Sequence, residues 1–185
     1  MMSYHQNLAP SSWVMQQSMS WPTQGQVLDF AAGRGRHSLA LAERFHLLAV
    51  DRDADALTPL AAHPNIDISI CDLESDAAWP FASKKFDAVV VTNYLFRPKL
   101  AALFDLVADD GYLAYETFAV GNAAFGHPKN PDFLLHEGEL AAAVPAGFDI
   151  LDAFQGVISD PQPAVIQRLA ARRINPSQEI IKPTV

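Results

Sequence analysis

Four short strand-like runs, three of them apolar and one alternating, recur along the first half of the chain and limit what it can fold into. They are Val27 to Phe30, Leu47 to Val50, Ile66 to Ile70 and Phe86 to Val91. Segments with helical spacing of apolar residues lie between the first three, over His37 to Phe45 and over 53–62, the latter ended by His63-Pro64. Runs this short, rich in β-branched residues and alternating with helices, predict βαβ units and a parallel sheet. Phe86 to Val91 shows no polar alternation, so it reads as a strand covered on both faces.

The same reading predicts an entry helix over 10–20, stopped at Trp21-Pro22, and a helix from Pro98 to Ala108. Strands follow over Gly111 to Phe118 and Phe148 to Phe154, with a helix from Glu137 to Val144. Ala164 to Ile174 has a composition that suits a helix and a position that suits a last strand. No repeat or linker splits the chain, which reads as one domain over residues 1–185. Half of the residues are hydrophobic and 18% are charged, which is a globular balance.

In a doubly wound sheet, ligands bind at the carboxyl ends of the strands near the point where strand order reverses. The chain places its most distinctive residues there. The first run ends in Asp29-Phe30-Ala31-Ala32-Gly33-Arg34-Gly35, where small side chains let the backbone turn tightly and approach a ligand. Asp51 closes the second run, where a carboxylate can accept hydrogen bonds from ribose hydroxyls. Cys71-Asp72-Leu73 closes the third, placing an acid for an adenine amino group and an apolar side chain for the ring. Asp29 is positioned for the amino-acid end of a ligand. A dinucleotide fingerprint needs G-x-G-x-x-G/A, whereas Gly33-Arg34-Gly35 continues with Arg36, His37 and Ser38. That spacing disfavours a nicotinamide oxidoreductase.

These motifs resemble the class I, Rossmann-like S-adenosylmethionine-dependent methyltransferases. The resemblance extends to a small stand-alone group related to the tellurite-resistance and thiopurine methyltransferase type. It rests on Asp29 to His37, Val50 to Asp53 (with Arg52), Cys71 to Glu74, Phe86 to Leu95, Tyr115 to Phe118 and Gly126 to Leu135, and covers residues 12–172. Ala31 departs from the wider class, where many members have glycine. The resemblance implies an α/β/α fold on a seven-stranded, mostly parallel sheet of order 3-2-1-4-5-7-6, its seventh strand antiparallel. Ala164 to Arg173 becomes that strand. It implies S-adenosylmethionine as cofactor and places Asn93 and Tyr94 beside the methyl group.

The expected cofactor-binding residues are therefore Asp29, Ala31, Gly33, Gly35, Asp51, Arg52, Cys71, Asp72, Leu73 and Asn93. Glu116, His127 and Tyr94 are the candidate catalytic residues, with Tyr115, Phe118 and Asn130 also facing the acceptor. His127 has the most suitable intrinsic pKa for a base. The long loop over 119–133 is expected to fold over the acceptor. Trp13 is a candidate cover for the cofactor, or an aromatic packed under a helix.

Composition narrows the partners. A formal charge of −8 disfavours nucleic acid, and no apolar run reaches membrane-spanning length. Met1 to Pro10 lacks the basic and apolar parts of a secretory signal, so a cytoplasmic location is expected. The single cysteine, Cys71, and the absence of close histidine pairs argue against a metal site. Arg168, Arg172 and Arg173 read as a solvated face. The expected activity is methyl transfer to a small molecule by a monomer or homodimer. The alternatives are methylation of RNA or protein and a non-catalytic S-adenosylmethionine-binding protein.

Overall fold

The structure, a computed structural model, describes residues 9–176; most of Met1 to Pro10, read above for a signal, lies outside them. Seven strands form one sheet in the order β3-β2-β1-β4-β5-β7-β6. They are β1 (Gln26–Phe30), β2 (His46–Asp51), β3 (Ile66–Ile70), β4 (Phe86–Thr92), β5 (Val107–Phe118), β6 (Phe148–Ile158) and β7 (Ala164–Arg173). The first five are parallel, and β7 runs antiparallel to both β5 and β6. This is the sheet the resemblance implies, and it resolves Ala164 to Arg173 as a strand.

Five short helices cover the sheet: α1 (Ser12–Gln17), α2 (Arg36–Leu41), α3 (Ala54–Leu57), α4 (Leu100–Asp105) and α5 (Glu139–Ala142). Alternation along the strands sends side chains to two cores. Val27, Ala49, Ala88, Val90, Ala114 and Ala170 face α1, α2 and α3. The alanines on this face let Trp13, Trp21 and Phe45 fill the layer above them. Leu28, Phe30, Val89, Val91 and Leu113 face α4 and α5, together with Trp79 and Phe81 from the segment before β4. Phe30 meets Trp79 edge-on at 5.1 Å between ring centroids, which fixes the end of β1.

Several boundaries differ from the sequence reading. The helix after β4 stops at Asp105, not Ala108, because Phe86 N–H bonds Leu106 O and Val107 pairs with Phe86. That pairing starts β5 four residues before Gly111. The helix over 53–62 divides into α3 and a 3-10 turn, Thr58–Ala62, at Pro59, which has no N–H to continue the ladder. β6 runs on to Ile158 because Gln155 to Ile158 pair with Ala164 to Gln167. Among the described residues, no helix is long and apolar enough to cross a membrane.

Candidate cofactor and acceptor site

Register brings the carboxyl ends of β1, β2, β3 and β4 to one edge: Phe30 lies beside Val50 and Val91, and Asp51 beside Ile70. Two hollows open along this edge. One, of about 330 Å³, is lined by residues that include Gly33, Arg36, Asp53 and Thr92. The other, of about 420 Å³, includes Arg52, Asp72, Leu73, Glu74 and Tyr94. Both share Ala31, Asp51 and Asn93, so they form one cleft.

Its floor is built from backbone in unusual conformations. Ala31 has φ 59° and Asn93 has φ 54°, at the ends of β1 and β4. Left-handed backbone is disfavoured for a residue with a Cβ, and such strain clusters at ligand sites. Ala31 stands where many class I members have glycine, and its φ shows why glycine suits that position. Gly33, at φ +55°, has nothing within 4 Å of a would-be Cβ, so the cleft approaches its bare backbone. Gly35, at φ +72°, serves packing instead: a Cβ there would sit 2.4 Å from Leu60 Cδ1.

The aspartates divide by role. Asp51 Oδ2 accepts the Gly33 N–H at 2.8 Å and Oδ1 accepts the Asp53 N–H at 3.0 Å, so Asp51 shapes the turn while lining the cleft. Asp72 is exposed at the rim, its Oδ1 accepting the Glu74 N–H at 3.0 Å. Asp29 differs from the expectation of ligand contact. It is buried at 1% exposure, lines neither hollow, and its Oδ2 accepts the Ser38 N–H at 3.0 Å and the Ser38 hydroxyl at 2.6 Å. Parity explains this: positions 27 and 29 of β1 point toward α2. Asp29 thus clamps α2 to β1 beneath the glycine turn. Cys71 is half-buried against the core and does not line the cleft.

Burial pushes the Asp29 carboxyl up to about 6 against the opposing hydrogen bonds from Ser38. The folded protein therefore holds a proton that the unfolded chain releases near pH 4. The associated stability is present below that pH and is lost as pH rises through about 6, to the extent of about 3 kcal/mol. Chemical denaturation of Asp29→Asn is expected to lack this decline between pH 4 and 6. An unchanged profile would place the titration elsewhere.

A narrow third hollow of about 30 Å³ also has Asn93 and Arg36 in its lining. Glu116 and Phe118 line it, as expected, but its other wall is the β6–β7 turn at Pro161 and Gln162 with Ile158, which the sequence reading did not single out. Glu116 Oε2 is held by Arg168 Nε at 2.5 Å and by the Ser11 hydroxyl at 3.2 Å. Ser11 also caps α1 through the Val14 N–H and donates its own N–H to His37 Nε2 at 3.0 Å. His37 Nδ1 then carries the proton facing Thr92 Oγ1 at 3.4 Å. Burial, with Arg36 beside it, holds His37 down to about 3, so it stays neutral.

Other expected members lie elsewhere. His127 is exposed on the 119–133 loop and lines none of the three hollows, nor does Asn130, whose side chain accepts the Asp132 N–H at 3.1 Å. That loop is tied down, and none of its residues lines the third hollow. Arg97 bonds Asp132 O and Leu134 O, and Asn122 bridges Pro128 O and the Val165 N–H. Tyr115 is buried, its hydroxyl on Tyr94 O. Trp13 matches neither expectation: it is buried, belongs to α1 itself, packs under Arg168 of β7 and donates Nε1–H to Asp152 at 2.8 Å.

The cleft fits an adenosyl ligand on two observations. The Tyr94 hydroxyl is buried with no hydrogen-bond partner among the described residues, on a side chain lining the Asp72–Leu73 hollow. The Gly33 backbone is open to the adjoining hollow.

Residues 27–109 match the family profile of a methyltransferase domain. No curated protein sequence matches the chain. Among solved structures, TehB from Haemophilus influenzae superposes with a TM-score of 0.71 at 18% identity, over 91% of this chain and 64% of that one. The chain thus spans less than two thirds of TehB. A SAM-dependent methyltransferase from Methanosarcina mazei gives 0.68 at 13% identity, covering 90% and 99%. The 1,6-didemethyltoxoflavin-N1-methyltransferase of Burkholderia thailandensis, solved with its substrate and S-adenosylhomocysteine, gives 0.63 at 20% identity, covering 88% and 76%. At these identities the likeness shows a shared fold. Residues 27–109 thus match a methyltransferase-domain profile within a chain whose seven-stranded sheet has the Rossmann-like order 3-2-1-4-5-7-6.

Proposed function

We propose that the chain transfers the methyl group of S-adenosylmethionine to a small molecule. The observation that carries this reading is the continuity of the cleft, whose two hollows share Ala31, Asp51 and Asn93 and meet a separate narrow hollow at Asn93. When bound, S-adenosylmethionine supplies a methyl group already activated by its sulfonium charge. The chain then has to orient the partners and exclude water, which contributes several kcal/mol to lowering the barrier.

In this reading Asp51 serves the ribose, while Asp72, Leu73 and the Tyr94 hydroxyl serve the adenine side. The Gly33 turn and Asn93 border the path toward the acceptor. Asp29 and Gly35 act indirectly, by holding the turn. Arg52, at the rim, adds a cation to an otherwise acidic edge. Glu116 is a positioning residue, because its carboxylate is committed to Arg168 and Ser11. The acceptor hollow is narrow and partly apolar, and a net charge of −8 disfavours phosphate backbones. The substrate named for the Burkholderia thailandensis structure is likewise a small molecule. A reducing cytoplasm suits the single cysteine.

Incubating the protein with methyl-labelled S-adenosylmethionine and separate pools of small molecules, RNA and protein tests the reading. Label is expected in the small-molecule pool. Label confined to RNA or protein would replace this acceptor class, and cofactor binding without transfer to any pool would favour a non-catalytic binder.

A further inference from the structure

The groups around the acceptor hollow are unequally satisfied. Glu116 has its ion pair with Arg168. Arg36, which borders both this hollow and the cofactor cleft, has none among the described residues. Among the described residues its side chain makes one hydrogen bond, from Nη1 to Ala9 O at 3.2 Å. Burial lowers its pKa, and Glu116 and Asp29 act on it only through their fields. A half-buried guanidinium with most of its donors unspent among the described residues offers a paired site for a planar anion.

Among the described residues, the hollow also lacks a free base. Both nitrogens of His37 are engaged and the ring stays neutral, Glu116 is ion-paired, and His127 lies outside. Tyr94 is pushed to higher pKa by burial. An oxygen or sulfur acceptor here has to arrive ionised, and the Arg36 guanidinium favours such an anion over a neutral amine, which attacks through its lone pair without a base. Thiols and phenols, at about 8.5 and 10, are mostly protonated near neutrality, whereas carboxylic acids, at about 4, are not.

We propose that Arg36 anchors the carboxylate of a small acceptor with an apolar body, and that a carboxylate oxygen receives the methyl group. Building on the methyltransferase reading, the step balances without proton transfer. The oxygen forms a new O–C bond as the S–C bond of the donor breaks, and the bonding pair leaves with sulfur. Anion and sulfonium become a neutral ester and a neutral thioether. Phe118, Ile158 and Ile166 form the apolar side of the hollow, whose volume of about 30 Å³ admits an acceptor body of about one or two carbons, as in acetate.

The methionyl carboxylate of the cofactor is the other anion within the same chemistry, and calorimetry separates the two. Wild type, Arg36→Gln and Arg36→Lys are titrated with S-adenosylhomocysteine and with 5′-methylthioadenosine, which lacks the amino-acid group. Each is then titrated, in the presence of S-adenosylhomocysteine, with a panel from acetate to phenylacetate and the matching primary amides. The smallest carboxylates are expected to bind wild type above their amides, to weaken about ten- to a hundredfold in Arg36→Gln, and to recover partly in Arg36→Lys. Because Arg36 also borders the cofactor cleft, both adenosyl ligands are allowed a small loss in the variants, equal for the two and well below the loss for the carboxylates. A loss in Arg36→Gln confined to S-adenosylhomocysteine would assign Arg36 to the cofactor and overturn the proposal. So would a panel in which no carboxylate binds above its amide. Absence of both adenosyl ligands from wild type would instead remove the methyltransferase reading itself. Unfolding curves confirm that each variant is folded.

Discussion

Leucine at position 33 is expected to leave the protein folded and to weaken S-adenosylhomocysteine binding by at least about a hundredfold. Gly33 sits at φ +55° with open space where a Cβ would project, so the added side chain meets no protein atom. The fold bears only the cost of left-handed backbone in a residue with a Cβ, about 1–2 kcal/mol, or a fall of about 2–8 °C in Tm. The side chain would instead enter the hollow that Gly33 lines. Gly35→Val should behave in the opposite sense, because its Cβ would overlap Leu60 and the first loss would be stability. Calorimetry beside a thermal melt reads both. Unchanged affinity in Gly33→Leu would mean that the turn is purely structural.

The second large effect concerns Glu116. Its carboxylate is 8% exposed and Arg168 is 18% exposed, so removing one partner strands a buried charge. Such a change costs about 3–5 kcal/mol, whereas apolar replacement of both partners is often neutral. Glu116→Ala should therefore lower Tm by about 6–20 °C, and Glu116→Leu with Arg168→Met should recover most of it. A catalytic base would give the reverse pattern, with stability intact and activity lost. A stable, inactive Glu116→Gln would restore Glu116 to the catalytic role expected from sequence.

How far the sequence could be read depended on the range of each interaction. The parallel strands and their acidic ends were legible because a short apolar run and its last residue are local. Asp51, Asp72, Leu73, Gly33 and Asn93, all named from sequence, line the cleft. Asp29 was assigned to the ligand from its place near a strand end. The period-two parity that puts Asp29 with Val27, opposite Phe30, was the available signal that it faces α2.

The acceptor side was less legible. Ser11 meets Glu116 across 105 positions and Arg168 meets it across 52, distances that no local pattern encodes. The three arginines near the end read as a solvated face. Antiparallel register instead pairs Arg168 with Glu116, and ion pairs join Arg172 to Asp110 and Arg173 to Asp109. The β6–β7 turn became part of the hollow only because β6 runs four residues beyond Phe154.

Everything functional rests on a single ligand lying across the ends of β1 to β4, with its adenosyl part beside Asp72 and its sulfur toward Asn93. Titration of the wild-type protein with S-adenosylhomocysteine and, separately, with NAD tests this most directly. One equivalent of S-adenosylhomocysteine is expected to bind, with NAD much weaker, and Gly33→Leu should abolish the heat. Tighter binding of NAD, or no binding of S-adenosylhomocysteine, would contradict the account.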